Sequence, residues 1–136
     1  MIRVGRKRDQ RDLLIRSLAT SVILYESIIT TRAKATMVQG FIDHIMTIAK
    51  SSDKLTARRR LLGMLLDENA VNKVLNELVT RTNVRTSGYT RRLRLTTRTG
   101  DGGDQVVLQL TDNVVTDKPD STKTSVVTKN KDHNHA

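Results

Sequence analysis

The chain has 136 residues and a formal net charge of +10, with 24 Lys and Arg against 14 Asp and Glu and no cysteine. That length suits one domain with a real core, and the missing thiols exclude a disulfide framework, a cysteine nucleophile and a Cys-ligated zinc site. No apolar run approaches the roughly 18 to 20 residues that span a bilayer, and the Arg-rich start has neither the apolar core of a signal peptide nor the Ser content of a transit peptide.

Leu14, Leu18, Val22 and Tyr25 recur at i, i+4, i+8 and i+11, which predicts an amphipathic helix over 13–25 with Asp9 as its cap. The β-branched run "SIITT" (27–31) predicts a short strand. Thr31 then caps a second helix, where Met37, Phe41, Ile45 and Ile48 form a stripe that Val38, Ile42 and Met46 widen, so this helix is expected to pack centrally. After a break at Ser51, Ser52 and Asp53, a third helix is expected over 54–66, bearing Leu55, Leu62, Leu65 and Leu66. A fourth follows Asp67, near 69–80, with Val71, Val74, Leu75 and Leu78. "RTNVRTSG" reads as a basic loop.

Two strands come next, 89–97 and 105–111, joined by the three glycines of "TGDGGD", where a hairpin loop needs positive φ. Tyr89, Arg91, Leu93 and Leu95 share one face of the first strand, which the leucines direct toward the helices. Thr90, Arg92, Arg94 and Thr96 then fall on the face away from them. From Asn113 on the chain is polar and without period, so 113–136 is expected to be disordered. The expected fold is two-layer α+β, ordered helix–strand–three helices–two strands with a small mixed sheet, in a domain of residues 1–112 followed by the tail 113–136.

The charge is unevenly placed. All fifteen arginines lie at or before Arg98, and the tail carries only lysine. Guanidinium groups fork onto phosphate oxygens with fixed geometry, so the folded part is suited to a phosphate-bearing polyanion. The same sign recurs at Arg3, Arg6, Lys7, Arg8, Arg11 and Arg16, in "RRR" at 58–60 and in "SGYTRRLRLTTRTG", without neighbouring acids to balance it. Successive helical residues point about 100° apart, so the three arginines of 58–60 cannot all face one ligand. Aromatics are confined to Tyr25, Phe41 and Tyr89, which leaves no platform for stacking single-stranded bases. Folded RNA held by its backbone, or DNA, is the better target.

Catalytic chemistry finds no footing. "TGDGGD" lacks the acidic spacing of a calcium loop and the Lys-Ser or Lys-Thr of a P-loop. His44 has no ligand partner at metal spacing, and His133 and His135 sit in the polar tail. The Asp67–Glu68 pair is explained by a helix start. No catalytic residue, metal site, cofactor, small-molecule substrate or membrane partner is expected, and the chain is read as a non-enzyme.

"LLIRSLATSVILYESIITT", "AKATMVQGFIDHIMTIAK", "ARRRLLGMLLDENAVNKVLNELVTR" and "GYTRRLRL…RTGD" occur in one order from Val4 to Asp112. In that order they resemble the seventeenth family of bacterial large-subunit ribosomal proteins. The resemblance implies a structural role in the ribosome, bound to large-subunit ribosomal RNA near the outer opening of the peptide exit tunnel, among neighbouring ribosomal proteins and in the cytoplasm or an organelle. Carried over by motif, the RNA-facing residues are Arg6, Arg11, Arg16, Lys34, Arg58, Arg59, Arg81, Arg85, Tyr89, Thr90, Arg91, Arg94 and Arg98; Arg3, Lys7 and Arg8 join them on charge alone.

The chain departs from the family pattern in a shorter basic leader, in Gln10 for a usual His, and in Ser87 for the first of two glycines. Arg92 stands where an apolar residue is common, and Thr96–Thr97 replaces Gly-Pro, which predicts a longer strand. The competing reading is a basic DNA- or RNA-binding regulator with a recognition helix. Asp67–Glu68–Asn69 fits poorly as the Gly-containing turn such a motif needs.

Overall fold

The computed structural model describes residue 5 and residues 7–51 and 53–111. The expected disorder of 113–136 and the proposed contacts at Arg3 and Arg6 lie outside the described residues. Helix α1 (Arg8–Tyr25) leads into strand β1 (Ser27–Thr31), which runs without a gap into α2 (Arg32–Ser51). α3 (Lys54–Met64) follows. The fourth helix is continuous but changes pitch, as α4 (Glu68–Lys73), a π-helical stretch (Val74–Leu78) and a last turn, α5 (Val79–Arg81). The hairpin of β2 (Thr90–Arg94) and β3 (Gln105–Leu110) completes the α+β arrangement.

The sheet order is β1-β3-β2, and both pairings are antiparallel. The expected mixed sheet is therefore corrected. β1 and β2 run parallel to each other, but β3 lies between them and neither touches the other.

α2 is the central element, as its broad apolar stripe predicts. Val38, Ile42, Ile45 and Met46 are at most 1% exposed, Phe41 and Ile48 pack at the margin, and Met37 is half-buried. One alanine from each of four helices, Ala19, Ala35, Ala57 and Ala70, is wholly buried. Small residues at these crossings let the helix axes approach closely.

In α1 the buried stripe is Ala19, Val22 and Ile23, so the expected Leu14–Leu18–Val22–Tyr25 stripe is turned by about one helical step. Tyr25 stands out in solvent beside the helix end. α1 also begins earlier than expected, which places Asp9 inside its first turn rather than at the cap. In α3 the inward residues are Ala57 and Leu61, followed by Leu65, whereas Leu55, Leu62 and Leu66 are exposed. Asp67 caps α4, its Oδ1 accepting from the Asn69 amide at 2.9 Å, as the acidic helix start predicts.

The faces of β2 are the reverse of those expected. Residues directly opposite across a sheet share a face, and the register sets Thr90 against Leu110, Arg92 against Leu108 and Arg94 against Val106. Those three partners are the buried residues of β3. The even-numbered residues of β2, arginines included, therefore lie on the helix side. Leu93 and Leu95, each 42% exposed, look outward. β2 is also shorter than expected. It closes at Arg94, with one further bond from the Leu95 amide to the Gln105 carbonyl, and Thr96–Thr97 does not extend it.

Candidate nucleic-acid interface

β2 is an outer strand, and α2 holds its flank through polar side chains spaced about one turn apart. Asp43 Oδ1 accepts from the Tyr89 amide at 3.2 Å, Gln39 Nε2 donates to the Thr90 carbonyl at 3.3 Å, and Arg92 Nη1 donates to Thr36 Oγ1 at 2.5 Å. At the closed end of this seam Tyr89 is 2% exposed, and its hydroxyl donates to the Arg85 carbonyl at 3.1 Å. Lys50 Nζ lies 4.7 Å from the Tyr89 ring centre and donates to the carbonyls of Arg85 (2.6 Å) and Thr82. Tyr89 and Thr90, both marked as RNA-facing by motif, are thus placed beneath the hairpin, with Thr90 4% exposed. Their side chains face the interior rather than solvent.

At the open end the seam reaches Arg32, one turn before Thr36, and Arg94. Three recesses share Arg32. One of about 190 Å³ is lined by Arg32, Arg92, Arg94 and Val106, and two larger ones of about 440 and 650 Å³ adjoin it on the β3 and α2 sides.

The other arginines divide by whether the fold supplies an acid. Arg81 forks onto Glu26, with Nη1 to Oε1 at 2.9 Å and Nη2 to Oε2 at 3.2 Å, and Lys73 reaches the same carboxylate at 3.0 Å. Glu26 ends α1 in the left-handed region at φ 64°, a conformation that favours glycine. Its carbonyl accepts from the Leu110 amide, and Lys73 also donates to the Leu24 carbonyl at 2.9 Å, so a cation from α4 meets the negative end of α1. The Arg81 fork holds the Glu26 carboxyl at about 2, well below its ordinary 4.5; partial burial opposes this and Lys73 adds to it. Arg58 pairs with Glu68 at 2.5 Å, which makes it the member of the 58–60 triplet occupied within the chain. Arg59 and Arg60 are exposed.

In the hairpin turn Arg98 pairs with Asp101, lowering that carboxyl to about 2 and raising the arginine further. Gly100 and Gly102 there take φ of 108° and 62°, the role the glycine run predicts. Lys7, Arg8, Arg16, Arg85, Arg91 and Arg94 are exposed, while Arg11 and Lys34 are half-buried. Arg32 is outside the expected contacts and Arg92 is a departure from the family pattern, yet both line the recess. The signal that finds them is three-dimensional: one turn of α2 and one strand register.

Among the described residues no group of three or more His, Cys, Asp or Glu could hold a metal ion, and His44 is on the exposed side of α2. No described helix is long and apolar enough to cross a membrane.

Residues 14–111 match the family model described as Ribosomal protein L17. The chain is 39% identical over 108 residues to the large ribosomal subunit protein bL17 of Caldanaerobacter subterraneus subsp. tengcongensis, covering 79% of this chain and 96% of that protein. It is 42% identical over 106 residues to the protein of the same name from Solibacter usitatus (76% and 70% covered) and 39% over 113 residues to that of Rubrobacter xylanophilus (83% and 93%).

Proposed function

The chain belongs to the ribosomal protein L17 family, a structural component of the large ribosomal subunit and not an enzyme, and from that premise we propose that it binds large-subunit ribosomal RNA near the outer opening of the peptide exit tunnel. The observation that carries the RNA contact is the set of exposed arginines on β2 and α3 that the fold leaves without an acid. Arg59, Arg60, Arg92 and Arg94 are all exposed, and among the described residues none is ion-paired. Cations held on rigid elements and unmet by carboxylates are suited to a polymer of phosphates, which gains affinity by releasing that polymer's counterions.

Within this reading Lys7, Arg8, Arg11, Arg16, Lys34, Arg85 and Arg91 extend the basic surface, while Arg58, Arg81 and Arg98 serve mainly to hold the fold. Residues 1–112 carry the RNA contacts, 113–136 carries none, and neighbouring large-subunit proteins flank the apolar outer face of the sheet. The tunnel location rests on family membership alone.

The test is co-sedimentation. A tagged copy expressed in its source cells should migrate with large subunits on a sucrose gradient and stay there at moderate salt. A truncation after Asp112 should do the same. Recovery of the full chain only at the top of the gradient would sink the reading.

A further inference from the structure

We propose that the recess formed by Arg32, Arg92 and Arg94 is a binding site for a single backbone phosphate of the ribosomal RNA. This rests on the RNA-binding reading above and adds to it a place and a ligand group.

The seam between α2 and β2 is a series of matched pairs. Asp43 meets a backbone amide, Gln39 a carbonyl, and Thr36 a guanidinium. One turn further the series ends on Arg32 and Arg94, two like charges lining the same 190 Å³ recess, with Arg92 as a third. Like charges gathered in one recess repel, and the Thr36 hydroxyl that meets Arg92 is neutral and does not offset them. No described ion pair involves any of the three, and the first turn of α2 has no acidic residue. Asp104 is the acid that lines the adjoining recesses. Its backbone carbonyl accepts from the Arg32 amide at 3.2 Å, and it lines the two larger recesses but not the one where the three arginines meet.

The missing partner is an anion. A phosphodiester oxygen accepts from guanidinium forks with fixed geometry, and the start of the long helix α2 adds its positive end to the same spot. Continuity favours a polymer over a free ion. The two larger recesses open from Arg32 on either side, so a chain carrying successive phosphates and sugars can lie across the site. A lone phosphate would leave both flanks vacant.

The experiment measures the affinity of the full chain for protein-free large-subunit ribosomal RNA as a function of salt. Arg94→Gln and the pair Arg32→Gln/Arg92→Gln should each weaken binding by about tenfold and reduce the slope of log K against log salt by about one. Because all three arginines share one phosphate, the triple variant should lose no more slope than either alone. Arg94→Lys should keep the slope, since the charge remains, while losing part of the affinity with the fork.

Slopes unchanged in the glutamine variants, or losses that add in the triple to about two or more, would overturn the shared site. A wild-type chain that binds this RNA without salt dependence would remove the RNA-binding reading itself, and the site with it. Inorganic phosphate at millimolar concentration should not raise the melting temperature. If it did so in the wild type and not in the triple variant, the recess would be a free-anion site and the assignment to RNA would fail.

Discussion

Arg81 and Arg94 are the same side chain in two opposite settings. Around Arg81 the fold converges a carboxylate, a second cation and the end of a helix, so its charge is met within the chain. Around Arg94 it converges two more arginines and no ion-paired acid. An arginine's role here is decided by what packing brings beside it. Its neighbours in sequence do not distinguish the two, since both lie in basic stretches and both carry over from family motifs as RNA-facing.

That contrast can be broken by measurement, starting with the core on which both settings depend. Leu108 is wholly buried on the inner face of β3. Leu108→Ala should cost roughly 2 to 5 kcal/mol by loss of buried surface and the cavity left behind, read as a lower midpoint in denaturant. Arg81→Ala comes next, at about 2 kcal/mol, because it strips a half-buried carboxylate of its forked partner. A loss no larger than that for an exposed arginine would erase the distinction between the two settings.

The acid limb sharpens it. The Glu26 carboxyl titrates at about 2 when folded and ordinarily at 4.5. A depressed carboxyl contributes stability that is fully present above about pH 4.5 and is lost as pH falls toward 2. The stability gap between wild type and Glu26→Gln should therefore be constant from neutral pH to about 5 and close below it. A gap that stayed constant down to pH 2 would show that the ion pair contributes nothing.

The smallest effects belong to the other setting. Leu93→Ala, on the outer face, should cost less than about 1 kcal/mol, and Arg94→Ala should stay within about 0.5 kcal/mol of wild type. Arg94→Ala unfolding the domain would return the arginine to a structural role.

Most of the architecture was legible from apolar spacing. The central helix, the acidic cap at Asp67, the glycine-rich hairpin turn and the order of elements all follow from local rules. The faces of β2 did not, and the reason is physical. Alternation shows which residues share a face but not which face is buried, and here the outer face is as apolar as the inner. Ile29, Val107 and Leu93 lie in register across the outside, while Ile28 and Leu108 lie in register within. On a narrow sheet, edge-strand residues on the inner face can pass beyond the helices, so Arg92 and Arg94 remain exposed there. The candidate site shared that blindness. Arginines can be counted from sequence, but the meeting of Arg32 with Arg92 and Arg94 depends on a helix phase and a strand register.

The position of β2 at the end of the sheet order has a further consequence, for the protein before it is assembled. The Leu95 amide donates to Gln105 of β3 and the Tyr89 carbonyl accepts from Thr111 just beyond it, so the backbone groups of the alternate residues Thr90, Arg92 and Arg94 point away from β3. Gln39 of the flanking helix α2 takes the Thr90 carbonyl, and the remaining groups lie along the edge of the sheet, where an unguarded strand would invite pairing. Three of the five residues of β2 are arginine, so a second copy aligning there must set guanidinium against guanidinium, which like charges across a strand pair disfavour. That disfavours self-pairing along the β2 edge, while β1 (Ser27–Thr31), the other edge of the sheet, carries no charge. The arginines proposed to meet phosphate thus also guard one edge of the sheet against pairing with its like.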